Sequence, residues 1–170
     1  MTEGYNKNIF LLKTEAIQNP LRTIDFIESI EIKKRFPNKI IITVNEEEPM
    51  AIFIQKGTKS YITKSGKIIQ YKENLPLNNL PSVFGLDAQK NFVEFFDLLK
   101  KNKFPVSLIR KFYYFNINRW DLHLKNKKII KLPDSKFIEA AKTAIILLEN
   151  EDFEKYTVFD LRIHGKIITR

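Results

Sequence analysis

The chain has 170 residues, 44% hydrophobic and 29% charged, with a net charge of +9 and a pI near 9.6. That is enough for one ordinary globular domain or two small ones, and it excludes global disorder. Without cysteine and with only His123 and His164, the chain excludes thiolate zinc, disulfides, a cysteine nucleophile and a multi-histidine metal site, while either redox compartment stays open. No apolar run approaches the ~18 residues of a membrane span, and Met1 to Lys13 lacks the pattern of a signal peptide.

Gly4 to Leu12 reads as a polar turn and a short apolar run. Thr14 is a candidate cap for a helix carrying Ala16, Ile17, Leu21, Ile24 and Ile27, with Pro20 expected to interrupt it. Ile30 to Pro49 follows as a hairpin. Ile30, Ile32 and the stem of Lys34 are expected on one face, Glu31 and Lys33 on the other, with Pro37-Asn38 in the turn. The β-branched run Ile40 to Val44 predicts a strand buried on both faces or covered by a helix, and Glu46 to Glu48 a solvated end.

From Met50 the pattern changes to short strands, MAIFIQ, SYIT and KIIQY, with Gly57 and Gly66 at the turns. Leu75 to Gly85 reads as a proline-bearing crossover. Asp87 is a candidate cap for the helix Ala88 to Lys100, whose Phe92, Phe95, Phe96 and Leu99 share a face. Val106 to Asn118, Trp120 to Leu124 and Lys127 to Leu132 read as strands. Asp134 is placed as the cap of a last helix, Phe137 to Leu148. Tyr156 to Ile163 and Lys166 to Arg170 read as strands around His164-Gly165. The class is α+β: a helix plus a two-stranded hairpin over residues 1–49, then a mostly antiparallel β domain with two helices over 50–170.

The order and spacing of several motifs carry a resemblance. FIESIEIKKRFPNKIIITVNEEEPMA places Ile30, Ile32, Lys33, Lys34, Phe36, Pro37, Ile40, Ile42, Val44, Glu46, Pro49 and Ala51 as in the second half of a POTRA domain joined to the domain behind it. YITKSGKII resembles an aspartate-x-x-Gly hairpin with Thr63 in the aspartate's place. NLPLNNLPSVFG resembles a Leu-Pro crossover, and FDLRIHGKIITR a closing Asp-Leu-Arg strand. Together these resemble the FtsQ/DivIB family of bacterial division proteins, over Gly4 to Arg170.

The resemblance implies a non-enzymatic scaffold on the periplasmic face of the inner membrane, without cofactor or small-molecule substrate. Membrane anchoring would come only through a segment upstream of these residues, as would the first POTRA strand and helix. It also implies partners. The C-terminal edge strand, Phe159, Asp160, Leu161, Arg162, Ile163, His164, Gly165, Lys166, Ile167 and Ile168, would add a strand from an FtsB-like protein in complex with an FtsL-like one. Phe159, Leu161 and Ile163 would face one side, and Arg162 would fork onto a partner carboxylate. Ile32, Lys34 and Glu46 would serve the POTRA part.

Two other readings compete. A POTRA-bearing periplasmic module of an export or outer-membrane assembly system shares the hairpin but not the Asp-Leu-Arg end. A nucleic-acid binder would use the net charge and the run Arg110 to Phe115, whose rings are more simply placed alternately in a core. No Gly-rich phosphate loop or recognition helix supports it, so nucleic acid is not an expected partner. His164 lacks a nucleophile partner, His123 is expected to face solvent from its strand, and Trp120 to be core or a sheet-face anchor.

Overall fold

The computed structural model describes residues 12–73, 75, 77 and 79–170. The expected turn at Gly4 and most of its apolar run lie outside these. The chain divides into two compact units, Met1–Glu48 and Pro49–Arg170.

In the first unit, α1 (Thr14–Arg22) precedes β1 (Ile27–Arg35) and β2 (Lys39–Glu46), an antiparallel pair. Thr14 is the first helical residue, not the cap; Lys13 holds that position and offers no side-chain bond. Pro20 lies inside the helix without interrupting it, and Thr23 closes the end with Oγ1 on Pro20 O at 2.7 Å, so the expected helical residues Ile24, which is exposed, and Ile27, which begins β1, lie beyond it. On β1, Ile30, Ile32 and Lys34 are half-buried while Glu31 and Lys33 are exposed, as the alternation predicts. The expectation of a covered β2 fails at Ile42 (44% exposed) and Val44 (41%). β-branching records preference for a pleated backbone, and does not by itself place a strand in a core.

Among its described residues the second unit is one mixed sheet of nine strands with two α-helices. β3 (Pro49–Gln55), β4 (Thr58–Thr63), β5 (Ile68–Gln70), β6 (Ser82–Phe84), β7 (Ile109–Phe115), β8 (Arg119–Leu124), β9 (Ile129–Lys131), β10 (Val158–Asp160) and β11 (Ile168–Thr169) lie in the order β11-β10-β9-β8-β7-β6-β3-β4-β5. Five of the eight pairings are antiparallel; β3·β6, β6·β7 and β9·β10 are parallel. Thr63 closes the β4–β5 turn in the aspartate's place, its Oγ1 accepting from Lys67 N at 3.1 Å.

One row of directly paired residues, Phe53, Val83, Phe112, Leu122, Ile130 and Phe159, faces the helices and is buried. From α2 (Ala88–Lys101), Phe92 meets Phe112 edge-on at 5.1 Å, and Phe95 stacks on Trp120 at 4.7 Å. Phe95 also meets Phe137 of α3 (Phe137–Glu149) at 5.1 Å, joining both helices to one core. Trp120 is therefore core. Asp87 holds the N-cap position of α2 as expected but makes no side-chain cap bond, whereas Lys136 holds that of α3, which leaves Asp134 two residues too early; both cap residues take positive φ, 59° and 53°. Asp87 pairs with Lys90 at 2.9 Å.

Candidate partner-binding site

The C-terminal run does not form the continuous edge strand expected of it. Phe159 and Asp160 belong to β10, which is paired on both sides, parallel to β9 and antiparallel to β11. Leu161 N still donates to Lys131 O at 2.9 Å, and then the chain leaves the sheet. Asp160 causes the exit. Its Oδ1 accepts Arg162 N at 3.2 Å, an Asx-type turn that withdraws this amide from the ladder. An aspartate two residues before an arginine reads in sequence as strand alternation; here it is a strand terminator.

The same carboxylate occupies Arg162. Arg162 Nε donates to Oδ1 at 2.8 Å and Oδ2 at 3.0 Å, and Nη2 donates to Oδ2 at 2.5 Å. The guanidinium expected to meet a partner's carboxylate is thus held within the chain. These bonds hold the Asp160 carboxyl below its ordinary range. Directly across the sheet stand Lys131 and then Asp121, buried, with Arg119 Nε 3.5 Å from its Oδ1. Burial pushes the Asp121 carboxyl up, against the pull of Arg119, Lys131 and Arg162. The Arg119 guanidinium lies 3.9 Å over the Phe115 ring.

Beyond Arg162 the chain turns through Ile163 to Ile167, with Lys166 N on Ile163 O at 3.0 Å and Gly165 at φ 71°. Phe159 and Leu161 are both buried, but Ile163 is 52% exposed, so the expected apolar row ends at Leu161. Ile163 and Ile167 at the groove and Ile168 in β11 are each exposed. Between this turn and α3 lies a groove of ≈360 Å³, with Lys136, Glu139, Ala140 and Thr143 on the helical wall. His164 Nδ1 stands 3.9 Å from Glu139 Oε2 across it. Of the ten edge residues expected, only Ile168 lies in the edge strand, β11. Arg170 exchanges both backbone bonds with Val158, so by antiparallel alternation the N–H and C=O of Thr169 point outward. Neither Thr169 nor the α3 wall is marked in the sequence, since proximity to a helix leaves no trace in local pattern.

In the first unit, Ile32 pairs with Ile42 and Lys34 with Ile40, which places both side chains on the face that Val44 and Glu46 share. Lys34 Nζ donates to Leu12 O at 2.5 Å. Glu46 is exposed, but Glu47 is buried and its N–H bonds Phe26 O at 2.9 Å, which corrects the picture of three solvated carboxylates. His123 is half-buried, not solvent-facing, with its ring 4.5 Å from that of Tyr113.

The sheet, its helical cover and the preceding hairpin define a class, and the sequence matches two family models in the same order. Residues 2–47 match "POTRA domain, FtsQ-type" and residues 51–162 match "Cell division protein FtsQ/DivIB, C-terminal". These are modules of bacterial cell-division proteins. The chain belongs to the FtsQ/DivIB family. It is 31% identical over 163 residues to the cell division protein FtsQ of Rickettsia typhi, covering 94% of this chain and 60% of that protein. It is 26% identical over 162 residues to that of Zymomonas mobilis, covering 94% and 51%. The chain therefore spans about 60% or less of the length of these relatives. A solved extracytoplasmic domain of the division protein DivIB from Geobacillus stearothermophilus aligns with TM-score 0.41 and 12% identity, over 58% of this chain and 87% of that one. Among the described residues no helix is long and apolar enough to cross a membrane. The second family match ends at Arg162, so the turn and β11 lie beyond it.

Proposed function

We propose that the chain is the periplasmic part of a divisome scaffold, a binding protein and not an enzyme, with residues 1–49 as its POTRA part and 50–170 as its β domain. The β domain holds an FtsB-like partner, in complex with an FtsL-like protein, along β11. The POTRA part contacts other division proteins through Ile32, Lys34 and Glu46. Anchoring at the division site would come from a segment upstream of these residues.

The observation that carries this reading is the pairing of an open edge with a nearby groove lined by both apolar and charged residues. β11 is two residues long and presents the outward N–H and C=O of Thr169, and beside it Ile163, Ile167 and Ile168 are all about half exposed. A partner strand would take the backbone groups, and its alternate side chains would cover the isoleucines. Arg162, already held by Asp160, would contribute a fixed charge rather than a free fork.

The test separates the two backbone directions. Thr169→Pro removes an N–H that points out of the sheet and is expected to weaken partner binding by about tenfold or more while leaving the melting temperature nearly unchanged. Ile168→Pro removes an inward N–H and is expected to lower stability as well. Partner affinity unaffected by Thr169→Pro, measured by calorimetry, overturns strand addition at β11.

A further inference from the structure

Away from the C-terminal edge, the two hairpins β7–β8 and β8–β9 bring basic residues together. A concavity of ≈200 Å³ is lined by Arg110, Lys111, His123, Leu124, Lys125 and Lys127. Five of the six are basic and none is acidic. Arg110 and Lys125 also line a second hollow of ≈430 Å³, again with no acidic residue in its wall.

The backbone fixes this arrangement. Lys125 N donates to Leu108 O at 2.8 Å, which pins the β8–β9 turn against the start of β7. Lys127 takes positive φ (70°), and Asn126 Oδ1 accepts Lys128 N at 3.2 Å, so the turn is built and not slack. Lys111 stands directly opposite His123 in the ladder, a pairing of potential like charges that disfavours the sheet. Among the described residues Arg110, Lys111, Lys125 and Lys127 make no ion pair. Lys128, by contrast, is satisfied by Phe153 O at 3.1 Å and Glu154 O at 3.0 Å. Burial, then Lys111 and Lys131, push the His123 imidazole toward its neutral form, and no carboxylate opposes them.

We propose that this concavity binds a phosphate group, borne by a lipid headgroup or a small soluble phosphate, with Arg110, Lys125 and Lys127 around it and Lys111 at its wall. A guanidinium fork beside ammonium groups suits a compact, multiply charged anion. The volume suits one or two phosphates and is too small for a strand or helix. The nearby rings do not offer a platform for bases: Phe84 stacks on Tyr113 at 4.7 Å, and the His123 ring packs tilted against Tyr113 at 4.5 Å.

The experiment uses the full chain and pyrophosphate as probe, at constant ionic strength balanced with chloride, following the His123 imidazole by NMR. Saturable binding with a rise in the His123 pKa is expected, since an anion there favours the imidazolium. The double variant Arg110→Gln/Lys125→Gln is expected to bind at least about tenfold more weakly, whereas Lys142→Gln/Lys155→Gln, with the same change in net charge, should bind as the parent does. Absence of saturation, or equal weakening by both variants, overturns the site. Sedimentation with phosphatidylcholine vesicles with and without phosphatidylglycerol identifies the source. Capture by anionic vesicles that Arg110→Gln/Lys125→Gln abolishes assigns a lipid headgroup, and pyrophosphate binding without such capture assigns a soluble phosphate. An oligonucleotide that binds tighter than either, and equally to both variants, overturns the proposal.

Discussion

Asp160 decides more than its neighbours in sequence suggest. It ends β10, holds Arg162 and faces Lys131 across the ladder. Its carboxyl is held below the ordinary range, so the stability it adds is present above the unfolded carboxylate pKa and is lost as pH falls through the lower folded value. The Arg162 side chain is 43% exposed, so solvent screening discounts the pair. Asp160→Asn is expected to cost about 1 kcal/mol at neutral pH and almost nothing at strongly acidic pH, as read by urea titration.

His123 acts in another pH window. Its pKa is lowered, so the unfolded chain binds the proton more readily, and stability declines as pH falls below the ordinary imidazole range. His123→Asn should remove that slope in denaturation curves between about pH 7 and 5. Asp121 has the opposite sign: its raised pKa makes stability rise as pH falls toward the ordinary carboxylate value, so the variant comparison is needed to isolate His123.

Among the elements, β6 best shows how little a short strand declares itself. Only Ser82–Phe84 pairs, yet these residues join β3 to β7 by two parallel ladders, and without them the sheet would be two sheets. In sequence this stretch reads as part of a crossover, because three residues after a proline carry no period. Gly85, just behind, marks the site more firmly than any apolar residue does. Its φ is +121°, and a Cβ there would lie 2.3 Å from Tyr114 O. Gly85→Ala is expected to destabilise by about 3 kcal/mol or more. At Gly57, with φ +81° and no atom within 4 Å of an added Cβ, alanine should cost about 1 kcal/mol. Thermal melts of the two variants check the contrast. The helices are easier to read, since Phe92, Phe95 and Leu99 recur at the helical period and all are buried. Their starts are not, because the residue in front of each takes a left-handed conformation that neither an aspartate nor a lysine announces.

For the whole molecule, the contrast between units sets dynamics. No residue of α1, β1 or β2 is buried, whereas the second unit holds the continuous aromatic core around Phe92, Phe112 and Trp120. Amide exchange in β1 and β2 should therefore be faster by orders of magnitude than in β7 and β8, and comparable protection would contradict that contrast. Phe112→Ala, by contrast, should cost about 3–5 kcal/mol, and slow-exchanging amides throughout the second unit should be lost.

The sequence by itself determined the α+β class, the hairpin with Ile30, Ile32 and Lys34 on one face, most strands of the sheet, the aromatic face of α2 and the family. All of these rest on local periods or on ordered motifs. Only the tertiary structure decided which strand is the edge, that Arg162 is held by Asp160, that Glu47 and Asp121 are buried, and that basic residues of β7 and of the β8–β9 turn meet at one concavity. Such facts depend on which distant segments become neighbours in the sheet. Period-2 alternation states which residues share a face, but it is the same for an edge and an interior strand.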